Sequence, residues 1–161
     1  MIGRVFRLND KSAWDIMTPR IATTYLYSDS IIAEVKSDII SSQHSRIIVI
    51  RDSIDDVVGM VLKNELLKGI IEGKENQKVA DFMRDIRFIP DTLRVDFLLK
   101  EFQKYSQQLM VVLDEYGGVS GVVSLEDVLE ELTGEIVDET DQSVDLQIVA
   151  RMRRKIKLKD K

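Results

Sequence analysis

The chain contains its own copy. Residues 46–70, RIIVIRDSIDDVVGMVLKNELLKGI, align on residues 108–132, QLMVVLDEYGGVSGVVSLEDVLEEL, without gaps at a constant offset of 62. Six of the 25 positions are identical: Val49/Val111, Asp52/Asp114, Val57/Val119, Gly59/Gly121, Val61/Val123 and Leu67/Leu129. Upstream, Asp15-Ile16-Met17 matches Asp81-Phe82-Met83 at offset 66. Two copies of one unit of about 60 residues fix the organisation, because each copy must build the same small structure. A chain of 161 residues leaves room for those two units and a short tail.

Each copy shows the same order of signals. A short helical segment surrounds Asp15 or Asp81, and in copy one it stops at Pro19. A short strand follows, over 23–27 or 87–89. Then comes a helix, carried by Ile31, Ile32, Val35, Ile39 and Ile40 after Asp29, or by Val95, Leu98, Leu99, Phe102 and Tyr105 after Asp91-Thr92. Two apolar strands come next, 47–50 with 57–61 and 109–113 with 119–123. Residues 114–118, Asp-Glu-Tyr-Gly-Gly, suit a hairpin, since the glycines tolerate positive φ. A last helix starts near Lys63 or Leu125. The unit therefore reads β-α-β-β-α. Its crossover helix implies a parallel first pair of strands, and its hairpin an antiparallel second pair. The expected fold class is mixed α+β: two pseudo-symmetric three-stranded units with lead-in helices, packed sheet to sheet. The expected boundaries are 1–76 for copy one with its lead-in helix, 77–141 for copy two, and 142–161 for a C-terminal tail.

Charge and composition narrow the function. There are 23 basic and 28 acidic residues, a net −5, which speaks against a nucleic-acid-binding surface. The absence of cysteine removes disulfides, thiol catalysis and thiolate zinc sites. No apolar run reaches the roughly 18 residues that span a bilayer, and the N-terminus reads as no secretory leader. By itself the sequence reads as a soluble intracellular module. Eight acids and no base lie between Glu126 and Asp141, whereas residues 142–161 carry seven bases and two acids. The acidic stretch suits either a solvated face or a divalent cation, and Glu126 is its candidate ligand beside phosphates. The basic tail suits an anionic lipid, an acidic partner or a frayed end.

The segment 121–127, Gly-Val-Val-Ser-Leu-Glu-Asp, carries the most chemistry. A strand ends and a helix begins, with Ser124 and Asp127 three apart. Helix N-termini favour phosphate, a Ser hydroxyl adds a donor, and an Asp one turn later can accept from a ribose diol. Ser-x-x-Asp is equally an ordinary capping pair. Copy one replaces the two residues by Leu62 and Glu65, so the fold itself does not need the hydroxyl. Arg46, after His44 and Ser45 at a strand entrance, suits either a phosphate or solvent. Trp14 reads as a packing anchor. No glycine-rich phosphate loop, metalloprotease motif or Ser/His/Asp set is present with a single histidine, so no catalytic residue is assigned and the chain is expected not to be an enzyme.

The tandem unit, ending in Gly-x-x-Ser-x-x-Asp, resembles a CBS-domain pair, or Bateman module. Residues 15–20, DIMTPR, with 113–118, LDEYGG, and 121–139, GVVSLEDVLEELTGEIVDE, are similar to the CorC/CNNM family over residues 11–141. That resemblance implies two CBS repeats on the cytoplasmic face of the plasma (inner) membrane, in a membrane protein of magnesium and cobalt efflux. Some members carry hemolysin-like labels. It implies an attached or associated transmembrane domain, a homodimer, and an adenine nucleotide, ATP above all, with Mg2+ possible. It places His44, Ser45 and Arg46 in one cleft with Val122 on the adenine, Ser124 at phosphate or ribose and Asp127 on the ribose, bordered by Thr18 and Pro19. Ser124 stands where Thr is common. Leu62 and Glu65 stand where the family has a hydroxyl and usually Asp, so one occupied site is expected. The short tail leaves no room for a CorC-type domain, which suggests a fragment or a stand-alone relative. The competing readings are a magnesium-sensing acidic dimer and a structural dimerisation domain without ligand.

Overall fold

The computed structural model describes residues 10–140 and 151–153. It divides into two compact units. A central unit runs from Arg20 to Ile86. A terminal unit joins the stretch up to Pro19 to everything from Arg87 onward.

The central unit holds β2 (Tyr25–Tyr27), α2 (Lys36–Ser41), β3 (Arg46–Ile50), β4 (Val57–Leu62) and α3 (Lys63–Ile71). Its sheet has the order β2-β3-β4, with β2 parallel to β3 and β3 antiparallel to β4. The expected first helix begins as a 3-10 turn, Ile32–Val35, before α2. One face of the sheet, Leu26, Ile47, Val49 and Val61, packs on Ile32, Ile39, Leu66 and Val79.

The terminal unit holds α1 (Ala13–Ile16), β1 (Thr18–Pro19), β5 (Arg87–Pro90), α4 (Val95–Tyr105), β6 (Leu109–Leu113), β7 (Val119–Ser124) and α5 (Leu125–Thr140). Apolar residues at 95, 98 and 102 give α4 a buried stripe, and each such side chain contributes about 1.5–3 kcal/mol on burial. The stripe packs on Ile89, Met110, Val112 and Val123 of the sheet and on Leu125, Val128 and Leu129 of α5. Asp114 closes the β6–β7 hairpin: its carboxylate accepts the N–H groups of Tyr116 and Gly118 at 2.8 and 2.9 Å, and Gly117 takes φ +83.

Three expectations change. First, the terminal sheet has four strands in the order β1-β7-β6-β5, because Thr18–Pro19 pairs antiparallel with β7. The lead-in segment of copy one thus folds with copy two: Ala13 enters its core, and Lys11 pairs with Glu131 of α5. The lead-in of copy two does the converse. Val79 enters the central core, and Met60 and Arg84 exchange backbone hydrogen bonds at 2.9 and 2.7 Å. Each compact unit therefore takes its lead-in segment from the other repeat. Second, Trp14 is 59% exposed and is not the packing anchor of its helix; the neighbouring Ala13 is. Third, the repeat is not gapless. β3 and β6 correspond at offset 63, whereas β4 and β7 correspond at 62. The extra residue lies in the first copy's hairpin loop, 51–56 against 114–118.

The tail expected over 142–161 falls outside the described residues except for Arg151–Arg153. There Arg153 Nη2 lies 3.4 Å from Thr133 Oγ1.

Candidate functional site

The start of α5 is built by a reciprocal cap. The Ser124 N–H donates to Asp127 Oδ2 at 2.8 Å, and the Asp127 N–H donates to Ser124 Oγ at 3.0 Å. The capping expectation for this pair is therefore met. The cap also leaves chemistry unused. Asp127 keeps Oδ1 as an acceptor, and the Ser124 hydroxyl, accepting one bond, keeps a proton to donate. Both side chains are half-buried. Below them Leu125, Val128 and Leu129 anchor α5 in the core, so the pair sits on a rigid element.

Strand alternation adds two more residues. Val123 faces the core, so Val122 and Ser124 share the opposite face of β7. Thr18 lies directly across from Val122, on that same face. Thr18, Val122, Ser124 and Asp127 are thus brought to one end of the terminal sheet. Pro19 pairs with Gly121 and alternates to the other face. Gly121 makes the arrangement possible: a Cβ there would lie 2.1 Å from the Thr18 carbonyl oxygen. This is the physical reason for one of the identities in the repeat. The strand pairing it permits was not evident in the sequence, where Thr18-Pro19 read as the end of a helix.

The other expected site residues lie in the central unit. His44 and Ser45 are exposed and Arg46 is half-buried, in the approach to β3. The His44 N–H donates to Ser42 Oγ at 3.2 Å, the Ser45 carbonyl accepts the Lys63 N–H at 2.9 Å, and Arg46 lies opposite Leu62. They therefore neighbour copy one's equivalents of Ser124 and Leu125.

Copy one is arranged differently at its helix start. Leu62 gives no side-chain cap to α3. Glu65, three residues on, turns instead to Arg84, whose Nε and Nη2 donate to Oε1 and Oε2 at 3.1 and 2.5 Å. The hydrogen bond and the charge of Glu65 hold the Arg84 guanidinium above its ordinary pKa. Lys63 reaches back to the carbonyls of Ile40 and Ser42 at the end of α2. Arg84 escaped the sequence reading; its signal was the offset-66 match that ties it to Thr18.

Glu126 is exposed at the first turn of α5. Among the described residues no three His, Asp or Glu side chains gather in a way that would hold a metal ion. Glu131 of the acidic stretch is engaged by Lys11, and the side chains from Glu135 to Asp141 lie outside the described residues. No described helix is long and apolar enough to cross a membrane.

Known proteins share this fold. The CBS-domain family matches residues 79–134, the stretch that ends in β7 and the first turns of α5. The chain is 52% identical over its whole length to the UPF0053 protein sll1254 of Synechocystis, covering 46% of that protein. It is 36% identical over 146 residues to the magnesium and cobalt efflux protein CorC of Escherichia coli K12, covering 91% of this chain and 50% of that one. The chain thus spans about half the length of these curated relatives. Among solved structures it resembles the CBS domain of a bacterial CNNM/CorC family Mg2+ transporter in complex with ATP. The identity is 30%, the TM-score is 0.77, and 83% of this chain and 94% of that one are covered.

Proposed function

The chain belongs to the CBS domains of the CNNM/CorC family, and on that footing we propose that it senses an adenine nucleotide, ATP above all, for a divalent-cation transport protein. The observation that carries the proposal is the half-used cap at the start of α5. Asp127 and Ser124 are oriented by bonds to the backbone, and each retains one group for a ligand. The helix N-terminus attracts phosphate, the Ser124 hydroxyl donates to phosphate or ribose, and Asp127 Oδ1 accepts from the ribose diol. Val122 offers an apolar surface to the base, next to Thr18 across the ladder. His44, Ser45 and Arg46 extend the reading to the phosphates, and Glu126 to a phosphate-bound Mg2+.

Binding in this scheme biases a conformation or a homodimer arrangement, by no more than the ligand's differential affinity for the two states. Transport of magnesium or cobalt, and placement on the cytoplasmic face of a membrane, belong to the same proposal. The nucleotide is a signal and is not consumed.

Calorimetry with ATP, with and without Mg2+, tests it. A hydrogen bond to a charged group is worth about 1.5–3 kcal/mol, so Asp127→Ala should weaken ATP by about 10- to 150-fold. Asp127→Asn separates the roles. It keeps an acceptor for the Ser124 N–H and so keeps the helix cap, but loses the charge that the ribose meets. Equal ATP affinity in all three proteins would refute the site. Stabilisation by Mg2+ alone would favour the acidic-dimer reading.

A further inference from the structure

The two copies differ at one point where their backbones agree. Thr18 lies across from Val122, and Arg84 lies across from Met60. Met60 corresponds to Val122 at offset 62, and Arg84 to Thr18 at offset 66. In both copies a lead-in segment therefore lies along the last strand, beside the start of the last helix. In both, a glycine makes room: Gly59 would meet the Arg84 carbonyl at 2.7 Å, as Gly121 would meet that of Thr18.

What joins the lead-in to the helix differs. In copy one Arg84 makes two hydrogen bonds to Glu65 at the third position of α3. In copy two Thr18 carries no charge, and the shorter Asp127 turns back to the Ser124 N–H. The acids turn in opposite directions. Glu65 has a cation, Arg84, on the neighbouring segment to bond, and Leu62 has no hydroxyl to reciprocate a cap.

We propose that the Arg84–Glu65 pair is a built-in substitute for the ligand: it staples the lead-in segment to the helix start and closes copy one, whereas copy two leaves that staple to a bound nucleotide. The inference rests on the nucleotide reading of copy two and deepens it. A nucleotide held by Asp127 and Ser124 would also touch Thr18 and Val122, and so would tie β1 to α5. It would make by binding the connection that copy one makes within the chain. The chain then has one copy whose closure is biased from within and one whose closure follows the nucleotide concentration. Arg84 and Glu65 are 54% and 38% exposed, and pairs this exposed shift an equilibrium by about fivefold at most. The pair therefore closes copy one together with the missing hydroxyl, and opening it requires all three residues to change.

Two variants test this in the whole chain. The first, Leu62→Ser/Glu65→Asp/Arg84→Thr, gives copy one the residues of copy two. The second, Thr18→Arg/Asp127→Glu, gives copy two the staple of copy one. Calorimetry with ATP and Mg2+ reads the stoichiometry, and the methyl resonance of Met60 reports occupancy of copy one. Wild type should take one ATP per chain and leave Met60 unmoved. The first variant should take two and move Met60. The second should lose at least about tenfold in ATP affinity and melt no lower than wild type. A folded first variant that still takes one ATP, or a wild type that takes two, would overturn the staple and leave the nucleotide reading standing. A wild type that takes none would refute the nucleotide reading. In that case one ATP at Met60 in the first variant would still support the staple, and none would overturn it. If the first variant does not fold, full ATP affinity in the second overturns the proposal.

Discussion

Replacing Gly121 by alanine is the sharpest test of how the lead-in strand is held. The added methyl would stand 2.1 Å from the Thr18 carbonyl oxygen and 3.1 Å from the Pro19 Cα, and both obstacles are backbone. Ordinary contact begins near 3.4 Å, so β1 must withdraw by 3.4 − 2.1 = 1.3 Å. A hydrogen bond lengthened that far is broken. Losing the two-residue ladder at about 1 kcal/mol per bond, or keeping it under strain of about 1–3 kcal/mol, gives a loss of about 1–3 kcal/mol. For a protein of this size the melting point should fall by about 2–12 °C. Urea unfolding at equilibrium, analysed with a common slope, measures the loss directly. Gly59→Ala provides a graded comparison. Its nearest obstacles are the Met83 side chain at 2.5 Å and the Arg84 carbonyl at 2.7 Å, so a flexible group absorbs part of the clash and the cost should be smaller. Gly134→Ala is the opposite control. Nothing lies within 4 Å of its Cβ position in α5, so it should gain about 0.5–1 kcal/mol of helix propensity. Gly121→Ala within about 0.5 kcal/mol of wild type would refute the claim that β1 requires a glycine opposite it.

Other outcomes follow from the same geometry. Phe102→Ala empties the centre of the terminal core and should cost about 3–5 kcal/mol by urea unfolding, more than any surface change. Ser124→Ala removes an acceptor of the helix cap and should cost about 1 kcal/mol in melting experiments, whereas Ser124→Thr should keep both the cap and ATP affinity. Gly117→Ala forces φ +83 on a side chain and should cost about 1 kcal/mol without changing nucleotide affinity.

Most of the architecture was legible because period-2 and period-3.6 patterns are strong in the strands and in α4. The alternation in Val119–Ser124 and the stripe Val95, Leu98, Phe102 could hardly be read otherwise. Register was less legible. An ungapped match puts Ile48 on Met110, yet Met110 faces the terminal helices and Ile48 is not among the residues of the central core. A one-residue slip reverses every side chain of a strand, and identities such as Val49/Val111 disguise it when both faces are apolar. The helix cap at Ser124 and Asp127 was legible because it is local. The pairing of Thr18 with Val122 was not, since nothing in a two-residue strand announces a partner about a hundred positions away. Nor was the Arg84–Glu65 pair, which depends on where that crossing strand runs.

The crossing of the lead-in segments bears on how the molecule is made. The central unit is one continuous stretch, Arg20–Ile86, and a growing chain can complete it early. The terminal unit cannot follow the same course. Its first pieces, α1 and β1, are made before the central unit: α1 then waits for the segment 91–95 that it bonds to, and β1 for β7. Until residues from Ile89 onward are made, Ala13, Ile16 and Met17 have no core to enter. Closing so long a loop is slow relative to local pairing, and it should be the last step of folding. A chain of which only residues up to Ile86 have emerged would therefore present a finished central unit with an unattached apolar leader, a species prone to sticking to its neighbours.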